Sequence, residues 1–266
     1  LTKKIGFIGA GNMAGAIIEG ILSQKVADAC CLGVLDVNAS KCESFKARGI
    51  GVFDTIAALA AFSDIIFLAV KPQNYEEVLG ELAGHTEGRI VVSIAAGIST
   101  GCIKSRLGSG CHVVRAMPNT PLLLGCGATA LCKAEPVTDG EFLSVREIFA
   151  AGGSVDVLPE EKMNAVISVN SSSPAYVYLF AKAVITGAVK QGMDVATATA
   201  LIAKTLEGSA KMIASSGYTP DELIKMVSSP GGTTLKALEA LEEHDFEGAV
   251  VDAMERCTKR ADELGR

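Results

Sequence analysis

The chain contains no tryptophan and 3 histidines, and aromatic residues make up 5% of its 266 positions. It has no excess of basic charge, since 24 lysines and arginines face 30 acids for a net charge of −6. A surface that neutralises the phosphates of a nucleic acid needs a basic stripe, so that class of partner is excluded. No apolar run approaches the roughly 18–20 residues that cross a bilayer, which excludes a membrane-spanning helix. The first residues run straight into a strand pattern, without the charged, apolar and cleavage segments of a secretory leader. The 8 cysteines contain no C-x-x-C pair and no recurrent ligand spacing, so no metal site is expected. Thiols scattered in this way fit a reducing, cytoplasmic compartment. Internal repeats and low-complexity linkers are also missing.

What is present is a core-forming composition, 49% hydrophobic with 28 glycines. The length exceeds the usual single-domain range and predicts two domains. Lys4–Ala10, Leu32–Val37, Asp64–Val70, Arg89–Ile94 and His112–Met117 read as strands. Asn12–Ser23, Ser40–Arg48, Tyr75–Ala83 and Ser99–Leu107 carry helical spacing between them. Alternation of this kind predicts a parallel sheet built from right-handed crossovers. After Val155–Leu158 the pattern changes. Glu160–Val169, Pro174–Gln191, Val195–Ser215, Pro220–Val227, Thr234–His244 and Phe246–Leu264 all read as helices. The expectation is an α/β half over residues 1–158 and an all-helical half over 159–266. The helices at 174–191 and 195–215 are apolar over much of their circumference, so a second subunit is expected to cover them.

Gly9-Ala10-Gly11-Asn12-Met13-Ala14 lies between the first strand and the first helix and has the G-x-G-x-x-A form. Gly9 allows a tight turn, Gly11 lets a pyrophosphate approach the backbone, and Ala14 lets the helix pack close to the sheet. The helix N-terminus then offers free amides and partial positive charge. Asp36, at the end of the next strand, stands where an acid binds the ribose hydroxyls of a dinucleotide. This combination predicts a Rossmann-type, doubly wound and mostly parallel sheet that binds NADH or NADPH. The carboxylate of Asp36 favours NADH, because it repels a 2′-phosphate and no arginine follows closely. Other strand ends are Ala69-Val70-Lys71-Pro72, where Lys71 is placed to face a phosphate or ribose, and Ala95-Ala96-Gly97, where small residues admit a flat ring. Asn119, between two prolines, either binds a ligand or satisfies its own turn.

Ser228-Ser229-Pro230-Gly231-Gly232-Thr233-Thr234 separates two helical segments and has the character of an anion-binding loop. With a dinucleotide already assigned, it is expected to hold a substrate carboxylate. The plainer reading is a helix connection capped by Thr233 or Thr234. The helical half has one histidine, His244, on a charged stretch, so a His–Asp acid–base pair is not expected there. Hydride transfer would then favour a C=N bond that arrives protonated over a carbonyl that needs a proton donor.

Four segments together carry a family resemblance: Gly6-Phe7-Ile8-Gly9-Ala10-Gly11-Asn12-Met13, Ala69-Val70-Lys71-Pro72-Gln73, Arg115-Ala116-Met117-Pro118-Asn119-Thr120-Pro121 and Val227-Ser228-Ser229-Pro230-Gly231-Gly232-Thr233-Thr234. In this order, over nearly the whole chain, they resemble pyrroline-5-carboxylate reductase. The resemblance implies reduction of the ring C=N of 1-pyrroline-5-carboxylate to L-proline by NAD(P)H. It implies that Ile8 to Met13 and Ala69 to Pro72 hold the cofactor phosphates and ribose, with Ala95, Ala96 and Gly97 near the nicotinamide. It further implies that Ser229, Gly232 and Thr233 hold the substrate carboxylate, that Thr234 bonds the ring nitrogen, and that Glu160 touches the substrate amine. A helix-interlocked homodimer, assembled further into a ring, follows from the same likeness. Two departures stand out. Ser171-Ser172-Ser173 replaces the Gly-Ser-Gly that usually precedes Pro-Ala-Tyr, and Asp36-Val37-Asn38 lacks the basic residue of NADP-preferring members.

Two other readings compete. A 3-hydroxyacid or 6-phosphogluconate type dehydrogenase would place a catalytic lysine after a glycine-rich stretch, and Lys182 follows no such pattern. A non-catalytic dinucleotide-sensing module would not need the threonine-bearing loop.

Overall fold

A computed structural model describes residues 2–265, and these divide into two compact units. The first contains the residues up to Ser172 and those from Arg256 onward; the second is Ser173–Glu255. The chain passes from the first compact unit to the second at 172/173. Residues 159–172 lack a core of their own, and Met163 and Ile167 are buried with Met117, Ala130 and Cys132 of the sheet.

The first unit runs β1 (Ile5–Ile8), α1 (Asn12–Ser23), β2 (Leu32–Leu35), α2 (Ser40–Lys46), β3 (Gly51–Val52), α3 (Ile56–Phe62), β4 (Ile65–Leu68), α4 (Tyr75–Leu82), β5 (Ile90–Ser93), α5 (Thr100–Leu107), β6 (His112–Met117), β7 (Gly127–Lys133), α6 (Asp139–Ala150) and β8 (Gly153–Val157). The strands form one sheet in the order β3-β2-β1-β4-β5-β6-β7-β8. Every pairing is parallel except β6 with β7. The inner strands are buried on both faces, as continuous apolar runs require. One face packs Ile17, Ile18 and Ile21 of α1 and Phe149 of α6 on Phe7 and Phe67. The other packs Leu59, Leu79 and Ile103 of α3, α4 and α5 on Ile66, Leu68 and Val91.

The helix expected over 160–169 is replaced by a 3-10 turn, Glu160–Lys162, and a π-helical turn, Ile167–Ser171. Side chains pull this segment out of regular helix. Asn170 donates to Met117 O at 2.7 Å and Ala128 O at 3.0 Å, and Ser171 Oγ lies 2.9 Å from Pro118 O. The serine that stands where a glycine was expected is therefore tied to the loop after β6. Ser172 Oγ accepts from the Cys257 thiol at 3.2 Å.

The second unit contains α7 (Ser173–Lys190), α8 (Val195–Ser215), α9 (Pro220–Met226), α10 (Thr233–Glu243) and the first half of α11 (Phe246–Leu264). Asp194 caps α8 by accepting from Thr197 N at 2.9 Å, and Pro220 opens α9 behind the Thr219–Glu222 capping box. On α7 and α8, Val177, Leu179, Phe180, Leu201 and Ile213 are exposed. Met212 and Ile213 of α8 and Leu223 and Ile224 of α9 line a groove of about 760 Å³. No helix among the described residues is long and apolar enough to cross a membrane.

Candidate active site

Strands β2, β1, β4 and β5 are neighbours, so their carboxyl ends form one continuous edge, the ligand-binding edge of open α/β sheets. Backbone bonds continue past the strands and fix the loops there. Gly9 N donates to Leu35 O at 2.7 Å, Ala69 N to Ile8 O at 2.8 Å, and Ile94 N to Leu68 O at 3.4 Å. The segments Ile8–Met13, Asp36, Ala69–Pro72 and Ala95–Gly97 all leave this edge.

The two glycines of the first loop do different work. Gly9 has φ +104°, and a Cβ there would sit 2.5 Å from Ala69 O and 2.8 Å from Ala69 C. The protein itself requires glycine at that position. Gly11 has φ −81°, open to any residue, and a Cβ would meet nothing within 4 Å. Gly11 is also the N-cap of α1 and supplies no side-chain acceptor to the first-turn amides. This leaves a clear approach to a helix N-terminus, the shape and polarity a pyrophosphate needs.

Asp36 braces the same loop. Its Oδ2 accepts from Ala10 N at 2.9 Å, its Oδ1 accepts from Asn38 N at 2.9 Å, and Lys41 Nζ lies 3.3 Å away. Burial alone would raise its pKa, but the Ala10 and Asn38 amides and the Lys41 charge together hold it below the ordinary 3.8. A carboxyl with a depressed folded pKa stabilises the fold above its unfolded value and loses that contribution as pH falls through the folded one. Asp36→Asn is therefore expected to unfold about 1–2 kcal/mol more easily at pH 7, the scale of a charge-assisted bond. The gap between urea unfolding curves of parent and variant should narrow as pH falls below 3.8, and a gap that does not change with pH would contradict the assignment.

Lys71 is exposed just beyond β4, and Pro72 starts a 3-10 turn. Ala95 is buried, and Gly97 has φ +82° with its Cα facing Ala261 and Leu264 of α11. Asn119 serves the fold. Its Oδ1 accepts from Ala128 N at 2.9 Å and its Nδ2 donates to Asn170 O at 3.2 Å.

In the second unit, Ser229-Pro230-Gly231-Gly232 is a tight turn. Gly232 N donates to Ser229 O at 2.9 Å, and Gly231 has φ +69°. Proline followed by a positive-φ glycine is the pattern of a type II turn. Gly232 is the N-cap of α10 and offers no side chain, so the amides at Thr233 and Thr234 begin an uncapped helix. Ser229, Gly232, Thr233 and Thr234 thus surround one N-terminus in an 11-residue helix.

Glu160 has other partners than a ligand. Its Oε1 accepts from Thr100 N at 2.7 Å and its Oε2 from Thr100 Oγ1 at 2.5 Å. Arg115 NH1 lies 3.8 Å from Oε1. Thr100 and Arg115, the latter quoted in a motif without a role, are the residues here to which sequence reasoning gave no function. The signal was a single arginine at an inward-facing position of an otherwise apolar strand. Among the described residues no cluster of metal-binding side chains occurs.

Comparison with known proteins agrees with both halves. Residues 160–264 match the family described as pyrroline-5-carboxylate reductase dimerisation, and residues 4–97 match NADP oxidoreductase, coenzyme F420-dependent. Pyrroline-5-carboxylate reductase of Escherichia coli is 37% identical over 100% of both chains. That of Methanosarcina acetivorans is 36% identical over 100% of this chain and 99% of its own. The crystal structure of Plasmodium falciparum pyrroline carboxylate reductase with NADP bound superposes with a TM-score of 0.93 at 29% identity, over 99% of this chain and 98% of that one.

Proposed function

The chain belongs to the pyrroline-5-carboxylate reductase family and reduces 1-pyrroline-5-carboxylate to L-proline with NAD(P)H, a step of proline biosynthesis. We propose that its first unit grips the nucleotide and that the α9–α10 loop grips the substrate carboxylate. The observation that carries the nucleotide half is Gly11, whose missing side chain the protein itself does not need. Ile8, Gly9, Ala10, Gly11, Asn12 and Met13 would hold the pyrophosphate, Asp36 the adenosine ribose, and Ala69, Val70, Lys71 and Pro72 the neighbouring phosphate and ribose. Ala95, Ala96 and Gly97 would border the nicotinamide. When bound, the reduced nicotinamide supplies the hydride.

On the substrate side, Ser229, Gly232 and Thr233 offer amides and hydroxyls to the carboxylate at the start of α10. Thr234 Oγ1 accepts a hydrogen bond from the protonated ring nitrogen and so orients the imine carbon for hydride addition. Addition of hydride to the iminium carbon neutralises its charge, no alkoxide forms, and the chain needs no proton donor at this step. Its contribution is orientation, which brings reacting carbons to about 3–3.5 Å. Glu160, with both oxygens engaged at Thr100, holds the scaffold here and not the substrate amine. Parallel assays of NADH and NADPH oxidation, with and without pyrroline-5-carboxylate, test the whole assignment. Oxidation that ignores the imine would refute it.

Asp36 sets the expected cofactor preference. A carboxylate at the ribose repels a 2′-phosphate, and Lys41, its nearest cation, is already paired with it. NADH should therefore give the higher kcat/KM. Asp36→Ser should shift the NADPH-to-NADH ratio at least ~10-fold toward NADPH, equivalent to about 1.4 kcal/mol. A ratio unchanged within twofold would remove Asp36 from this role.

The exposed apolar faces of α7 and α8 belong to a segment that matches a dimerisation family. They support a homodimer, with assembly of dimers into a ring as the further step, to be read from the molar mass in solution. The 8 cysteines are all free thiols, which supports a cytoplasmic location.

A further inference from the structure

Arg115 is the largest fully buried side chain among the described residues, and its charge is costly there. Its NH2 donates to Asn164 Oδ1 at 2.5 Å, its NH1 is 3.8 Å from Glu160, and its Nε has no partner. Buried ion pairs of this quality are often replaced by apolar residues without loss of stability. A fold that only needed filling would not require one.

The network around the guanidinium holds one segment, residues 93–100, at three places. At its start, Ser93 is the register partner of Arg115. Its Oγ is 2.9 Å from Tyr75 OH and accepts from Ala95 N at 3.4 Å, while Tyr75 OH donates to Leu68 O at 3.1 Å. In its middle, Gly97 lies against Ala261 and Leu264 of α11. Asn164 Nδ2 donates to Asp262 Oδ1 of that helix at 2.7 Å, and its own Oδ1 accepts from Arg115 NH2. At its end, both donors of Thr100 are bound by Glu160, the ion-pair partner of Arg115. The first attachment runs through the Arg115 backbone and the other two through its guanidinium.

We propose that Arg115, acting through Glu160 and Asn164, is a positioning residue that fixes the Ala95–Gly97 loop for the nicotinamide. The proposal rests on the reading that this loop borders the nicotinamide. Its decisive variant is Arg115→Met with Glu160→Gln, which removes the pair without leaving an unpaired buried charge. The expected result is a native-like circular dichroism spectrum and cooperative melt, with Kd and KM for NADPH and NADH each raised at least ~10-fold. The KM for pyrroline-5-carboxylate should stay within twofold. Glu160→Gln alone, which keeps a bond to Thr100, should show a smaller shift in the same direction. Restoring charge without the planar fork, in Arg115→Lys, should recover only part of cofactor affinity. Cofactor constants unchanged within twofold in the double variant, or in Glu160→Gln should the double variant not fold, would overturn the proposal. So would equal losses for cofactor and substrate. Ala96→Leu separates the two readings. If it leaves cofactor affinity intact, the loop does not border the nicotinamide. If it weakens affinity while the Arg115 variants do not, only the positioning role fails.

Discussion

Gly11→Ala is expected to leave the melting temperature within ~3 °C of the parent while raising the Kd for NADH and NADPH by about 100-fold. The added methyl meets no protein atom within 4 Å and sits at φ −81°, so the folded chain accommodates it. The same methyl occupies the approach to the α1 amides, where a pyrophosphate must come into backbone contact. Gly9→Ala reverses the pattern. It forces a side chain into φ +104° and within 2.5 Å of the Ala69 carbonyl oxygen. Backbone strain and overpacking of that kind each cost about 1–3 kcal/mol. For a chain of this size the sum lowers the melting temperature by roughly 4–24 °C. Calorimetry and fluorescence titration of the two variants side by side would decide the matter. If Gly11→Ala bound cofactor normally, the first loop would not be the pyrophosphate site.

Thr234→Ala should lower kcat by about 100-fold, at the modest end of what one positioned polar group contributes. Cofactor Kd should hardly move, since Thr234 lies in α10 of the second unit and every assigned nucleotide contact lies in the first. Thr234→Ser keeps the hydroxyl and should stay within about threefold of the parent. The loop fold should survive both changes, because the turn is closed by Gly232 N and Ser229 O and not by the threonine side chain. Single-turnover rates separate this loss from product release. A kcat for Thr234→Ala equal to the parent value would strip the residue of its role.

Much of the architecture was legible before any coordinates. The helix Asn12–Ser23 and the helices Val195–Ser215 and Phe246–Leu264 fall where hydrophobic spacing put them, as do the inner parallel strands. Long runs of one period leave little choice. What escaped the reading was short or compositionally weak. β7, Gly-Ala-Thr-Ala-Leu-Cys-Lys, has few strand-forming residues and exists because β6 and β8 pair with it on either side. α3 is 7 apolar residues, four of them alanine, with a Thr55 cap. α6 carried a clear capping box, Thr138 with Glu141, that periodicity alone did not weigh.

The sequence by itself determined the inner strand segments, the glycine loop that follows the first of them and the proline–glycine turn before α10, because each depends on neighbours only a few residues apart. Tertiary structure alone decided the burial of Arg115, the diversion of Glu160 to Thr100 and the anchoring of Ser171 on Pro118. Those contacts join residues 49 to 60 positions apart. Their energies arise only when separate strands and turns are packed together, and no local pattern of residue types encodes which buried partner a charge will find.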